Sequence, residues 1–380
     1  MDGLPFQKNL HMSLYTTPLQ LGYFFSLLMW ILFLIRGYRA QRLSDKFLGW
    51  IMFILAMELQ DYTFGFAGIN VLWNELNGFP RGVSLLFGPV VYFYFRSQVN
   101  RSFRLRKNHL WHFLPYTLAF VYEFSFFVQG PDAVQSLQAS THFLILGYFE
   151  RLLRIASFAY YLSRCILIYR NYRSWSLNQF SNTELIDFTW FRNFIYAMVF
   201  WLIFREVMNV IDARLDLEFY QDWWWNLALV AVAYYIGLAG FSQNQPAKVS
   251  FELAGKSTKD APLINDEAEE EKDGIAGKLK TLMEEDRIYI QPDLNLQDLA
   301  QQLKVNAGLL SATINQVFGK NFNEYINTYR IEEFVRLYSE DVDKRFTLLS
   351  IALDSGFNSK ATFNRAFKKI KGVTPKEFLA

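Results

Sequence analysis

The chain has 380 residues, of which 52% are hydrophobic, 18% aromatic and 19% charged, with a formal net charge of +2. The near-neutral balance excludes a global basic field for nucleic acid, so any such contact must rest on local charge. A single cysteine, Cys165, rules out an intramolecular disulfide and argues against a Cys/His zinc site.

The averages hide a division. Residues 18–241 hold every Trp and the long apolar runs, whereas 243–380 read as soluble protein. The N-terminal stretch MDGLPFQKNLHMSLYTTPLQ lacks a basic region and a small-residue cleavage site, so the first apolar run is expected to be a retained anchor. Seven apolar segments follow, near 18–36, 47–66, 83–96, 109–128, 143–163, 190–211 and 222–241. Several approach the ~20 residues that carry a helix across ~30 Å of hydrocarbon. The third is short and contains Pro89.

Loop charge predicts orientation. The loops after segments one, three and five carry Arg36, Arg39, Arg42 and Lys46, then Arg96, Arg101, Arg104, Arg106 and Lys107, then Arg164, Arg170 and Arg173. The alternate loops hold little beyond Arg81 and Arg214. Lys/Arg-rich loops stay cytoplasmic, which places the N-terminus outside and, after seven crossings, the C-terminus inside. Ionisable residues within apolar segments are costly and are either inter-helix contacts or a ligand or ion pocket. The candidate sensing residues are Glu150, Arg154, Arg205 and Glu206. Glu150 and Arg154 are spaced i,i+4 and are expected to pair.

From 243 to 274 the aromatics nearly vanish and an acidic run, Asp266 to Asp273, appears. This composition predicts a disordered acidic linker. Beyond it, LNLQDLAQQLKVNAGLLSATINQVFGKNFNEYI can be laid over FTLLSIALDSGFNSKATFNRAFKKIKGVTPKEFL. Each copy encodes helix, turn, helix. Asn295, Asn306, Thr347 and Asn358 or Ser359 are candidate N-caps. Gly319, Gly356 and Gly372 are helix stops suited to positive φ. Leu310 and Ile314, like Phe363 and Phe367, sit i,i+4 on a core face. The stretch FNEYINTYRIEEFVRLY between the copies predicts one continuous helix. The pattern is a double helix-turn-helix.

On LQDLAQQLKV, LLSATINQVFGKNFNEYINTYRIEE and IALDSGFNSKATFNRAFKKIKGVTPKEF, residues 276–380 resemble the DNA-binding domain of the AraC/XylS family of bacterial transcription regulators. The resemblance implies two recognition helices reading double-stranded DNA. The apolar half is similar to the input modules of membrane-anchored members. The candidate DNA-binding residues are Lys360, Ala361, Asn364, Arg365, Lys368, Lys369 and Lys371 in copy two, and Asn306, Ser311, Asn315 and Lys320 in copy one. Family members often carry a basic residue where this chain has Ala312. That departure leaves Ser311, Asn315 or apolar contacts to read bases in copy one.

The expected fold is all-α: a seven-helix transmembrane bundle (1–242), the linker (243–274) and a cytoplasmic double helix-turn-helix (275–380). The expected function is a non-enzymatic, membrane-embedded transcription regulator of a bacterial inner membrane, coupling a membrane or external signal to promoter binding. Its expected partners are DNA, the lipid bilayer, RNA polymerase, a second copy of the chain and an unidentified signal ligand, with no cofactor. Two alternatives stand beside it. One is a membrane transporter or enzyme with a regulatory DNA-binding tail, for which P-loop, HExxH and GxSxG motifs are lacking. The other is an anchor that tethers DNA without sensing.

Overall fold

The computed structural model describes residues 17–66, 76, 78–182, 188–217, 225–243, 266–341 and 345–379. The N-terminal 16 residues and most of the expected linker lie outside them. The chain divides into two compact units. One comprises Met1–Tyr169 and Thr189–Phe251, and the other Arg170–Phe188 and Glu252–Ala380. Among the described residues every named element is helical, and Phe180 and Asn295 form an isolated antiparallel bridge.

In the first unit each of the seven apolar segments overlaps a helix: α1 Thr17–Arg39, α2 Leu43–Phe66, α3 Ser84–Val99, α4 Leu114–Gln129, a short α5 Pro131–Gln138, α6 Thr141–Gln179, α7 Phe188–Leu215 and α8 Asn226–Phe241. Pro89 sits inside α3 without ending it. α1, α6 and α7 are long and apolar enough to cross a membrane, and α8 is a shorter apolar helix. α1 packs on α2 and α8, and α2 on α3, around Phe33, Ile51, Leu55 and Ile236. The approach of α1 to α8 needs a small residue: a Cβ on Gly237 would lie 2.7 Å from the Phe25 ring.

Arg36 gathers the ends of three helices. It donates to Asp45 on α2 at 2.6 and 3.0 Å and to the carbonyls of Phe241 and Gly240 on α8 at 2.5 and 3.2 Å. Those carbonyls lie in the last turn of a helix, so a guanidinium there also meets the negative end of its dipole. In contrast, α4 buries no residue, and α6 exposes Leu144, Ile145, Tyr148, Phe149 and Leu152.

Two features depart from the sequence expectation. Helix α6 continues 16 residues past the apolar segment 143–163, because nothing in RCILIYRNYRSWSLNQ breaks a helix. At 39 residues it is about 58 Å long. Its end, from Arg170, belongs to the second unit. The acidic run Asp266–Asp273, expected in the linker, forms the first turns of a helix, α9 Asp266–Glu284. Its last turns bury Ile275, Leu279 and Met283, an i,i+4 stripe that stabilises a helix by packing rather than by propensity. The part of the expected linker at 244–265 lies outside the described residues.

The second unit continues with α10 Leu296–Leu303, α11 Ala307–Phe318, α12 Phe322–Glu340, α13 Leu348–Asp354, α14 Lys360–Lys371 and α15 Pro375–Phe378. It has two cores. Leu296, Leu299, Leu310, Ile314, Phe322 and Ile326 share one with α9, and Ile331, Phe334, Ile351, Phe357, Phe363 and Phe367 form the other. α12 contributes to both, so this single helix joins the two copies.

Gly356, in the turn of the second copy, has φ +92, and a Cβ there would meet the Tyr289 and Ile290 carbonyl oxygens at 2.7 and 2.8 Å. Both backbone conformation and space therefore demand glycine. Gly356→Ala should destabilise the second unit by about 1–3 kcal/mol. Thermal unfolding of the purified chain followed by circular dichroism checks this, with the downward shift in midpoint as the readout.

Candidate nucleic-acid interface

Each copy is built by capping and one tight turn. Asn295 accepts the Asp298 N–H at 2.9 Å to start α10. The chain then reverses at Lys304, whose φ is +56, and Val305 N–H closes on the Ala300 carbonyl at 3.0 Å. Asn306 caps α11 by accepting the Gly308 N–H at 2.7 Å. In the second copy Thr347 accepts the Ser350 N–H at 3.1 Å, and Phe357 N–H closes on the Ala352 carbonyl at 3.1 Å. Ser359, rather than Asn358, caps α14 through the Thr362 N–H at 3.3 Å. Asn358 instead donates to Asp293 at 2.9 Å. Gly319 and Gly372 end α11 and α14 in the left-handed region.

The outer face of α14 carries Lys360, Ala361, Asn364, Arg365, Lys368, Lys369 and Lys371, all exposed, while Phe363 and Phe367 are buried on the other side. The structure thus brings the whole candidate set of copy two onto one surface. Three of its lysines fall in the last turn, where the helix dipole favours cations. On α11 only Asn315 of the candidate readers is fully exposed; Ser311 is half-buried. Asn315 donates to the Ser311 carbonyl at 2.7 Å. Asn306 is engaged as a cap, and Lys320 donates to Thr328 at 3.0 Å.

Two acid–base features escape the motif. Lys369 pairs with Glu324 on α12. Burial works to raise the Glu324 pKa, but hydrogen bonds from Lys369 and the Asn321 N–H outweigh it and hold the carboxyl below its usual range. Glu324 also completes a capping box with Asn321. The second feature is Arg330, which is 0% exposed. It donates to the carbonyls of Tyr289, Gln291 and Pro292 at 2.7, 2.7 and 3.3 Å. A signal for it was present: Phe322, Ile326, Arg330 and Phe334 fall on one i,i+4 stripe, and Arg330 is the polar member of an otherwise apolar face.

The geometry agrees with the comparisons. Residues 299–380 match the helix-turn-helix domain family. The C-terminal part of the chain carries a helix-turn-helix domain. It is 33% identical over 91 residues to an uncharacterized HTH-type transcriptional regulator of Staphylococcus aureus (strain COL), covering 24% of this chain and 12% of that protein. It is likewise 33% identical over 85 residues to the melibiose operon regulatory protein of Escherichia coli (strain K12), covering 22% of this chain and 27% of that protein. The chain therefore spans only a small part of the length of these relatives. No solved structure matches.

Of the second helices of the two copies, α14 alone has basic charge to offer. An arginine at mid-helix can contact guanine O6 and N7 together, worth about 1–3 kcal/mol of discrimination, whereas a phosphate contact carries no sequence information. Arg365→Ala should weaken binding to the native site far more than to random DNA, and Lys369→Ala should weaken both alike. Titration of labelled duplexes by the purified chain separates the two. Equal losses for Arg365→Ala would reassign it to the phosphates.

The Lys369–Glu324 pair adds a further expectation. Because the folded Glu324 pKa is depressed, the pair is complete above the ordinary carboxylate pKa of about 4.3 and is lost as pH falls through the lower folded value. Glu324→Gln keeps the capping box yet releases Lys369. It should raise affinity for any duplex and steepen the salt dependence by about one unit of slope. An unchanged slope in the same titration would show that Lys369 stays off the DNA.

Proposed function

We propose that the chain is a membrane-embedded, sequence-specific transcription regulator, in which a helical bundle receives a signal and the helix-turn-helix domain binds a promoter. The observation that carries the reading is one covalent chain holding both a basic, exposed recognition helix and three helices long and apolar enough to span a bilayer. The outward faces support the membrane part. On α1, Phe24, Leu28, Ile31 and Ile35 are exposed in an i,i+4,i+7,i+11 stripe, and α4 and α6 add further exposed apolar residues. A surface this apolar is unsuited to water and suited to lipid. The length of α6 exceeds the ~30 Å of hydrocarbon, so its last turns, with Arg170 and Arg173, stand clear of it.

The input would act through charges inside the bundle. Arg205 reaches Glu58 at 3.3 Å, Arg151 reaches Glu206 at 3.1 Å, and Ser84 donates to Glu58 at 2.5 Å. Arg154, expected to pair with Glu150, instead lines a cavity with Glu58, Arg205 and Glu206, and its buried Nε lacks a hydrogen-bond partner. Glu150 lines a separate, largely apolar cavity with Glu123. Of the four candidate sensing residues, Arg154, Arg205 and Glu206 thus share one cavity and Glu150 does not. Ion pairs at low dielectric are strong when intact and costly when one partner is removed, which suits a two-state element.

In this reading the protein lies in a bacterial inner membrane, with the N-terminus outside and the DNA-binding domain in the cytoplasm. A second copy, RNA polymerase and a signal ligand are its remaining expected partners. Reporter fusions should read cytoplasm after Lys107 and Gly274 and the outside near Pro131. A cytoplasmic reading at Pro131 would overturn the seven-crossing topology. Genome-wide DNA occupancy of the intact protein should show discrete sites, and Glu58→Gln or Arg205→Ala should change the output of the adjacent promoters while the protein remains in the membrane fraction. Promoter output that ignores both substitutions would leave an anchor without a sensor.

A further inference from the structure

The stretch Phe180–Asn182 lies in sequence between α6 and α7, where a short connecting loop would be expected. It is instead built into the second unit. Ser181 is 0% exposed and Asn182 7%. The Ser181 N–H and hydroxyl both donate to the Leu294 carbonyl, at 3.2 and 2.6 Å. Phe180 pairs as an antiparallel bridge with Asn295, the residue that caps α10.

The opposite side of the stretch is held by α12. Asn323 donates to the carbonyls of Phe180 and Ser181 at 3.2 and 2.7 Å. Arg330 donates to the Ser181 hydroxyl at 3.2 Å, and Asn327 reaches the Ser181 carbonyl at 3.5 Å. Three polar side chains at 323, 327 and 330 therefore line one face of α12 and read main-chain and hydroxyl groups of an extended segment. Backbone pairing combined with side-chain donors is the means by which proteins recognise extended peptides. The exposed α14 face takes no part in it.

We propose that α12 and the Leu294 turn form a docking surface whose occupant is the Phe180–Asn182 segment of the same chain, and that this clasp is a second, non-covalent attachment of the helix-turn-helix domain beside the covalent link through 244–265. α6 ends at Gln179, so the helix carrying Arg151 and Arg154 runs directly into the clasp. Resting on the reading of the bundle as an input module, the clasp gives its movements a route to the domain that a flexible tether could not supply. The grip falls on the cap of α10 and on the helix shared by both copies.

The test uses the full chain with an affinity tag at the N-terminus and a single protease site inserted in 244–265. After solubilisation in mild detergent and complete cleavage, the C-terminal fragment should remain on the resin with the tagged half. Asn323→Ala, which removes two donated bonds, and Ser181→Trp, which fills the buried serine site from the other side, should each release about ten-fold more fragment. Ser181→Trp leaves every residue of the helix-turn-helix domain unchanged, and retained DNA binding by the released fragment confirms that it is folded. Release of the cleaved wild-type fragment to the level of the variants would overturn the clasp, as would variants that stay bound like wild type. Sedimentation of the uncleaved chain with membranes, before detergent, reports on the membrane reading separately.

Discussion

The second unit is organised around one buried cation. Arg330 sits at the middle of α12 with no exposed surface, and its guanidinium collects the carbonyls of Tyr289, Gln291 and Pro292. Burial depresses its pKa to about 10, with the nearby Asp293 charge working in the other direction. It is therefore a cation at neutral pH. A buried charge is costly unless its donors are used, at about 1–3 kcal/mol for each unmet group; Nε and one Nη meet these acceptors, while the other buried Nη lacks a hydrogen-bond partner. The carbonyls gain as much as the arginine does: residues 288–293 hold only a single 3-10 turn and would otherwise leave acceptors unpaired. Fixing that segment fixes the second copy too, since the Tyr289 and Ile290 carbonyls are what Gly356 packs against, and Asp293 receives Asn358.

What was legible in the sequence follows from which physics is local. The caps at Asn295, Asn306 and Thr347 and the positive-φ stops at Gly319, Gly356 and Gly372 are short-range effects, and each stands where the residue type indicates. The i,i+4 core pairs Leu310/Ile314 and Phe363/Phe367 are likewise decided by one helix's own periodicity. The unforeseen features all depend on partners far away in sequence. Lys369 reads as one more phosphate-seeking lysine until Glu324, 45 residues away, is beside it. Arg330 reads only as a polar residue out of place on an apolar stripe until the carbonyls of Tyr289, Gln291 and Pro292 surround it. The helical state of Asp266–Asp273 was hidden because its acidic composition is that of a tether, and the stabilising apolar stripe begins only at Ile275.

The first unit pairs several of its charges internally, as Arg205 with Glu58 and Arg151 with Glu206, and turns the apolar side chains of Phe24, Leu28, Ile31 and Ile35 outward. Arg36 is the boundary case. At the end of α1 it satisfies Asp45 and two helix-terminal carbonyls and rests on the rings of Phe33 and Phe241. Its fork of donors is suited to such a junction as a lysine's point charge would not be.

The two copies of the helix-turn-helix share a backbone plan but divide its uses. Copy two keeps its outer helix free of acidic residues and loads it with Lys360, Arg365, Lys368, Lys369 and Lys371, so its surface is strongly basic. Copy one has no Lys or Arg on α11. Its polar groups are engaged locally instead: Asn306 in a cap, Asn315 with the Ser311 carbonyl, Asn295 in both a cap and the Phe180 bridge. The helix between them carries the same division. Glu324 restrains a lysine of copy two, while Asn323, one residue earlier and on another face, holds the segment at Phe180 and Ser181. A helix turns 100° per residue, so adjacent positions serve different neighbours without conflict. One rigid element can therefore hold the clasp on one face and bear on the charge of the recognition helix with another, and a tilt or shift of α12 would be felt by both.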